Sequence, residues 1–232
     1  MTTTDYDAFA TAYSIENESN LFNAHYERPA MLGLAGDVEG RRVLDAGCGS
    51  GPLTAQLRAR GAVVSGFDAS AAMVDLARQR LGQDADLRVA DLAAPLPYAD
   101  GEFDDVLASL VLHYLEDWTR PLAELRRVLK PGGRLLVSVN HPGAYPIVHP
   151  DGDYFAVTEY SEDYTFDGQV VWLTFWHRPL HAMTDSFARG GFRIVSLSEP
   201  PPAPDAPVEV LPPGLRPGQS FLCFLFFVLE AV

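Results

Sequence analysis

The run Arg42-Val43-Leu44-Asp45-Ala46-Gly47-Cys48-Gly49-Ser50-Gly51-Pro52 constrains this chain more than any other stretch. Val43 and Leu44 read as the end of a buried strand. Gly47, Gly49 and Gly51 make a loop in which backbone can approach a ligand with no Cβ in the way. Pro52 suits the first position of a following helix, where a missing N–H costs no hydrogen bond. Strand, glycine turn and helix N-terminus together form a cradle for a nucleotide-containing ligand. A dinucleotide site has the spacing G-x-G-x-x-G, with the helix N-terminus aimed at a pyrophosphate. Here the spacing is G-x-G-x-G, and the carboxylate of Asp45 sits two residues before the first glycine. That acid is badly placed for a phosphate and well placed for a cation. Taken alone, the run also fits a glycine turn that merely joins strand to helix.

Two further acids weigh against that plainer reading. Asp68, 21 residues after Gly47, closes the apolar run Gly61 to Phe67, the placement that suits a ribose. Asp91 closes Leu87-Arg88-Val89-Ala90. A single strand-end Asp is ordinarily a cap or turn former. Three of them after three successive strands are not explained that way, and Ser70 is the better cap behind Asp68. This set resembles the class I S-adenosylmethionine (SAM)-dependent methyltransferases, strongly over about residues 40–140, and "LKPGGRLLVS" (residues 130–138 with Leu129) adds a turn widespread in that superfamily. The resemblance implies SAM as cofactor, a ligand with an ammonium, a sulfonium and a ribose but no phosphate. It places Asp45, Gly47, Cys48 and Gly49 along the cofactor and Asp68 on the ribose hydroxyls. Asp91 would meet the adenine amino group and the Leu92 N–H a ring nitrogen. Ala69, Met73, Ala90 and Ser109 complete the implied cofactor set.

Phe103 to Ser109 reads as a fourth strand, and Trp118 to Leu129 has helical spacing with Leu122, Leu125, Val128 and Leu129 on one face. Lys130-Pro131-Gly132-Gly133 stops that helix before a fifth strand over Arg134 to Val139, and Phe221 to Leu229 reads as the last strand. Strands alternating with helices predict an α/β fold with a doubly wound, mainly parallel sheet. The resemblance makes it a seven-stranded, Rossmann-like methyltransferase fold. The chain reads as one domain, 1–232, with an N-terminal helical lid (1–38) and a substrate-side insertion (141–179). Tyr6, Phe9 and Tyr13 share one helical face of the lid.

Charge narrows the acceptor. The formal net charge is −14, and Lys130 is the one lysine. Nucleic acid and anionic membrane surfaces call for a basic stripe that this chain lacks. There is no apolar run near 18 residues and no basic, apolar leader, so a soluble, cytoplasmic protein is expected. Cys48 and Cys223 do not make a disulfide framework, and no cluster has metal-ligand spacing. A small, neutral or cationic methyl acceptor fits best.

The acceptor side should lie in the insertion. Asp167-Gly168 marks a tight turn between Asp163–Phe166 and Gln169–Trp176, hence a hairpin near Tyr164. Its second arm has two apolar faces, Val171, Leu173 and Phe175 on one, Val170, Trp172, Thr174 and Trp176 on the other. One face should pack on the domain, and Trp172 and Trp176 on the other should wall a pocket or make a homodimer contact. Tyr13 and Arg28 compete for the cofactor carboxylate, Arg28 alternatively making a surface ion pair with Glu27. For a general base we expect His177 first and His141 second, since both flank the insertion, and Arg178 would lower the His177 pKa by repulsion. His113 follows the fourth strand, which by the resemblance is near the reacting sulfonium, whereas His25, His149 and His181 read as packing residues. The expected activity is O- or N-methylation of a small molecule. A SAM-binding cyclase or sensor of the same fold is the alternative.

Overall fold

The computed structural model describes residues 5–232; residues 1–4 of the expected lid lie outside them. Seven strands form the central sheet: β1 (Arg42–Ala46), β2 (Val63–Asp68), β3 (Leu87–Val89), β4 (Phe103–Ser109), β5 (Leu129–Asn140), β8 (Phe192–Ser198) and β9 (Phe224–Ala231). Their order is β3-β2-β1-β4-β5-β9-β8, with β9 antiparallel to both its neighbours and the rest parallel. The expected fold is the observed one.

Strand periodicity sorts the core into two layers. Leu44, Val106, Ala108, Leu135, Val137, Phe227 and Leu229 face one way, onto α5 (Thr119–Val128) and α7 (Leu180–Arg189) through Leu122, Leu125, Met183 and Phe187. Val43, Leu107, Leu136, Phe226 and Val228 face the other way, onto α2 (Arg28–Ala35) and α3 (Pro52–Ala59) through Met31, Leu32, Leu53 and Leu57. On β2's side of the sheet, α4 (Ala71–Leu81) starts at Ser70, whose hydroxyl accepts from the Met73 N–H as a helix cap. No helix among the described residues is long and apolar enough to cross a membrane.

Two additions cover the carboxyl ends of the parallel strands. The first is N-terminal: a short turn at Tyr6–Ala8, then α1 (Ala10–Asn17), then a wide-wound π-helical segment, Leu21–Glu27, that runs into α2. The second lies between β5 and α7. It holds α6 (Tyr145–Val148) and the hairpin β6 (Thr158–Phe166) and β7 (Gln169–His177), which form their own two-stranded sheet. Asp167 and Gly168 turn the hairpin at φ 48° and 74°, the paired positive φ that a tight hairpin turn requires. The additions meet: Phe9 stacks on Phe166 at 5.8 Å, and Tyr13 meets the same ring edge-on at 5.4 Å.

At the opposite end of the sheet, Asp105 of β4 is fully buried and held between the guanidinium groups of Arg41 and Arg134. Together they hold its carboxyl below the usual range. Removing the acid leaves two partly exposed guanidinium groups facing each other without their counter-charge. Asp105→Ala should therefore lower the unfolding free energy by about 3 kcal/mol. Urea denaturation reads this loss, and cofactor affinity of the folded fraction should stay at its wild-type value.

Candidate cofactor and acceptor site

Chain order reverses between β1 and β4, which pair directly although β2 and β3 intervene in sequence. In open α/β sheets such a switch point leaves a crevice at the carboxyl ends of the strands. Here the crevice is a cavity of about 1100 Å³, roofed by α1 and the hairpin.

The glycine loop forms its floor. Gly47, Gly49 and Gly51 all take positive φ (76°, 53° and 80°), where a side chain is strained. A Cβ at Gly47 would stand 2.9 Å from Val111 Cγ2. The loop folds back on β2: the N–H groups of Gly47 and Cys48 both donate to the Phe67 carbonyl at 2.9 Å, and that of Gly49 to Asp68 Oδ2 at 2.9 Å. These amides are satisfied within the protein, which leaves no nest of free donors of the kind a pyrophosphate uses.

Asp45 lies beneath the loop. Thr54 Oγ1 donates to its Oδ2 at 2.6 Å, while Oδ1 is buried with no hydrogen-bond partner. Burial, first of all, pushes its carboxyl up to about 7, with Glu27 and Asp68 adding repulsion. Glu27 shares the cavity wall and was not anticipated from sequence. Its Oε1 accepts from Ser109 Oγ and Ser138 Oγ, both at 2.6 Å, and burial raises its pKa. Asp45, with one oxygen unpartnered and Glu27 and Asp68 repelling it, suits an ammonium ligand. Arg28 is buried rather than in the surface ion pair considered above: its guanidinium donates to the Asn17 carbonyl and side-chain oxygen. Tyr13 stands beside it, with its pKa pushed up to about 12 by burial. Arg28 is the one guanidinium or ammonium among the described lining residues, and so the natural partner for a ligand carboxylate.

Asp68 accepts from the Gly49 and Ser70 N–H groups, at 2.9 Å each, and so is less free than Ser70's capping role suggested. Each of its oxygens keeps a second lone pair for a ribose hydroxyl. Asp91 also turns its own chain, accepting from the Ala93 N–H at 2.8 Å. Ala69, Met73, Ala90, Leu92 and Ser109 line the same cavity, so every expected cofactor residue is gathered there. The donor set fits SAM: carboxylates for its cationic end and ribose, one guanidinium for its carboxylate, no phosphate cradle.

The other half of the cavity is walled by the hairpin, and here several expectations need correction. The inward face carries Tyr160, Glu162, Tyr164, Leu173 and Phe175. Trp172 lies on the outer face, 64% exposed, and does not line the cavity; Trp176 reaches its rim. His177 is not at the cavity either. Its ring stacks on Tyr145 at 4.0 Å, and its Nε2–H donates to the Tyr154 carbonyl. Arg178 packs 4.6 Å over the Trp118 ring and donates to the Glu116 carbonyl, which keeps it out of the cavity. His141 does line the cavity, but Nδ1 accepts from the Gly143 N–H and Nε2–H donates to Glu199 at 2.7 Å. Neither nitrogen offers a lone pair to an acceptor. His113 accepts from the Asn140 N–H, and burial pushes its pKa down to about 3, so it stays neutral.

His149, read from sequence as a packing residue, is the imidazole that meets the geometric requirement. It lines the cavity, its Nε2 is buried without a hydrogen bond, and Glu162 Oε1 stands 3.6 Å away. Tyr164 donates to the other oxygen of Glu162 at 2.9 Å.

Comparison with known proteins agrees with this geometry. Residues 44–137 match a family model described as a methyltransferase domain. The chain has the fold of the class I SAM-dependent methyltransferases, and residues 44–137 are its methyltransferase domain. A SAM-dependent methyltransferase structure from Mesorhizobium loti superposes with a TM-score of 0.66 at 27% identity, over 87% of this chain and 96% of that one. A demethylmenaquinone methyltransferase of Tropheryma whipplei is 36% identical over 142 residues, 59% of this chain and 58% of the relative. A malonyl-[acyl-carrier protein] O-methyltransferase of Serratia marcescens is 38% identical over 114 residues, 49% and 44% respectively. The chain thus spans about half the length of these curated relatives.

A test follows from Asp45. In the free protein its carboxyl keeps its proton up to about pH 7, against about 4 for an unfolded Asp. Stability of the free protein therefore falls as pH rises through that window. A cation bound beside Asp45 favours the ionised form and expels the proton. Titration of S-adenosylhomocysteine near pH 6.5, in buffers of different ionisation heat, should show proton release that disappears in Asp45→Asn.

Proposed function

We propose that this protein transfers a methyl group from SAM to a small-molecule acceptor held in the hairpin half of the cavity, with O- or N-methylation as the reaction. The observation that carries the reading is that one cavity has both halves. Its floor holds the cofactor residues, and its aromatic far end has no cofactor group left to bind. When bound, the cofactor supplies an electrophilic methyl on a sulfonium. The chain's part is to align that methyl with the acceptor, worth of order 7–11 kcal/mol in well-oriented reactions. Residues 5–38 and the insertion at 141–179 act as covers that exclude water. The names of the two curated relatives cite acceptors as unlike as demethylmenaquinone and a malonyl-[acyl-carrier protein], so the shared domain does not select the acceptor. We infer that the protein works in the cytoplasm, on neither nucleic acid nor membrane, as its net charge of −14 favours.

Calorimetry should show binding of SAM and S-adenosylhomocysteine and none of NAD. Asp68→Ala should weaken SAM by about 1.5–3 kcal/mol, the range for hydrogen bonds to a charged group. Tight NAD binding without SAM heat would sink the reading. SAM binding without label transfer to any of a broad set of amines, phenols and acids would favour a cyclase or sensor instead.

A further inference from the structure

Once the cofactor groups are assigned, the hairpin half keeps charge and ring surface that nothing yet uses. Glu162 sits on the inward face of β6, and Glu159 stands exposed at the rim. No Arg or Lys among the described residues lines this half; the cavity's guanidinium, Arg28, lies at the cofactor end against Asn17. Around Glu162 stand Tyr145, His149, Tyr160, Tyr164 and Phe175. Tyr160 is 5.4 Å from Tyr145, 5.0 Å from His149 and 5.6 Å from Phe175, centroid to centroid. Aromatic faces around a carboxylate attract a cation twice over, through ring quadrupole and charge. The chain's net charge of −14 adds steering toward cations.

We propose, building on the methyl-transfer reading, that the acceptor is an amine on an aromatic scaffold, which enters as an ammonium ion with Glu162 as its counter-charge. The rings of Tyr160 and Phe175 take the aromatic body, and the ammonium faces Glu162 Oε1. An ammonium has no lone pair and must lose a proton before its nitrogen can attack. His149 Nε2, buried beside Glu162 and without a hydrogen bond, is the acceptor for that proton. The N–H bond breaks, its electron pair stays on nitrogen as the nucleophile, and the imidazole becomes imidazolium, stabilised by Glu162. A carboxylate acceptor would meet Glu162 and Glu159 as like charges, with no cation in this half to offset them.

Three matched probes test this on the full chain saturated with S-adenosylhomocysteine: 2-phenylethylamine, 2-phenylethanol and 3-phenylpropionate. We expect the amine to bind at least tenfold more tightly than the other two. Glu162→Gln should abolish that preference and leave S-adenosylhomocysteine affinity unchanged. His149→Asn should cut label transfer from SAM to the amine at least tenfold and remove the acidic limb of its pH–rate profile, with the amine's binding preference retained. Absence of amine binding, equal or tighter binding of the acid or alcohol, or a preference that survives Glu162→Gln overturns the proposal. The methyl-transfer reading stands or falls separately, on S-adenosylhomocysteine binding together with label transfer from SAM. Should that fail, the same three probes titrated into the unliganded protein still read the hairpin half.

Discussion

The site depends on one closure, the glycine loop folding back onto the end of β2. The Phe67 carbonyl receives two loop amides and Asp68 a third. This fixes the loop's shape without a ligand, and it also decides what the loop can hold. Amides already bonded to the protein cannot wrap a phosphate. The space above them is left to the electrostatics of Asp45, which is buried and short of one partner. A loop of the same glycine content with free amides and no acid would bind an anion. Here local hydrogen bonding leaves a common strand–turn–helix unit with no free amides above Asp45, which on our proposal receives positive charge.

Much of this could be read from the chain alone, where physics is local. The sheet followed from alternating strands and helices, the loop from glycines that require positive φ, and the hairpin from Asp167-Gly168. The strand-end acids lie where the parallel sheet lines up its carboxyl ends. What escaped depended on tertiary contacts. The second hairpin arm has two apolar faces, and sequence periodicity cannot say which turns inward. Packing of Phe9 and Tyr13 on Phe166 selects the Phe175 face and leaves Trp172 outside. Glu27 beside Arg28 looked like a surface pair. Instead, both residues are buried where the wide-wound segment Leu21–Glu27 passes into α2, and the two serines that hold Glu27 come from β4 and β5. No spacing in the sequence announces that meeting.

The histidines teach the same lesson more sharply. His177 and His141 stood at the right places along the chain, but each is engaged by its neighbours: a stacked tyrosine and a carbonyl for one, a backbone amide and Glu199 for the other. His149 had nothing to recommend it in sequence, because it follows a four-residue helix in an aperiodic stretch. Its standing comes from a nitrogen with no bond in a cavity. A free lone pair is a property of the surroundings, not of the residue.

The hairpin's independence from the main sheet bears on how such a protein could diversify. Among the described residues β6 and β7 pair only with each other, so no ladder of the seven-stranded sheet passes through them. Substitutions on their inward face alter what the far end of the cavity welcomes, while the loop, the three strand-end acids and the core layers keep their registers. Inheritance of the cofactor and novelty in the acceptor are thereby carried by different pieces of chain. A lineage of such proteins could change its chemistry's target by editing a few alternate positions on one ribbon, with little cost to folding.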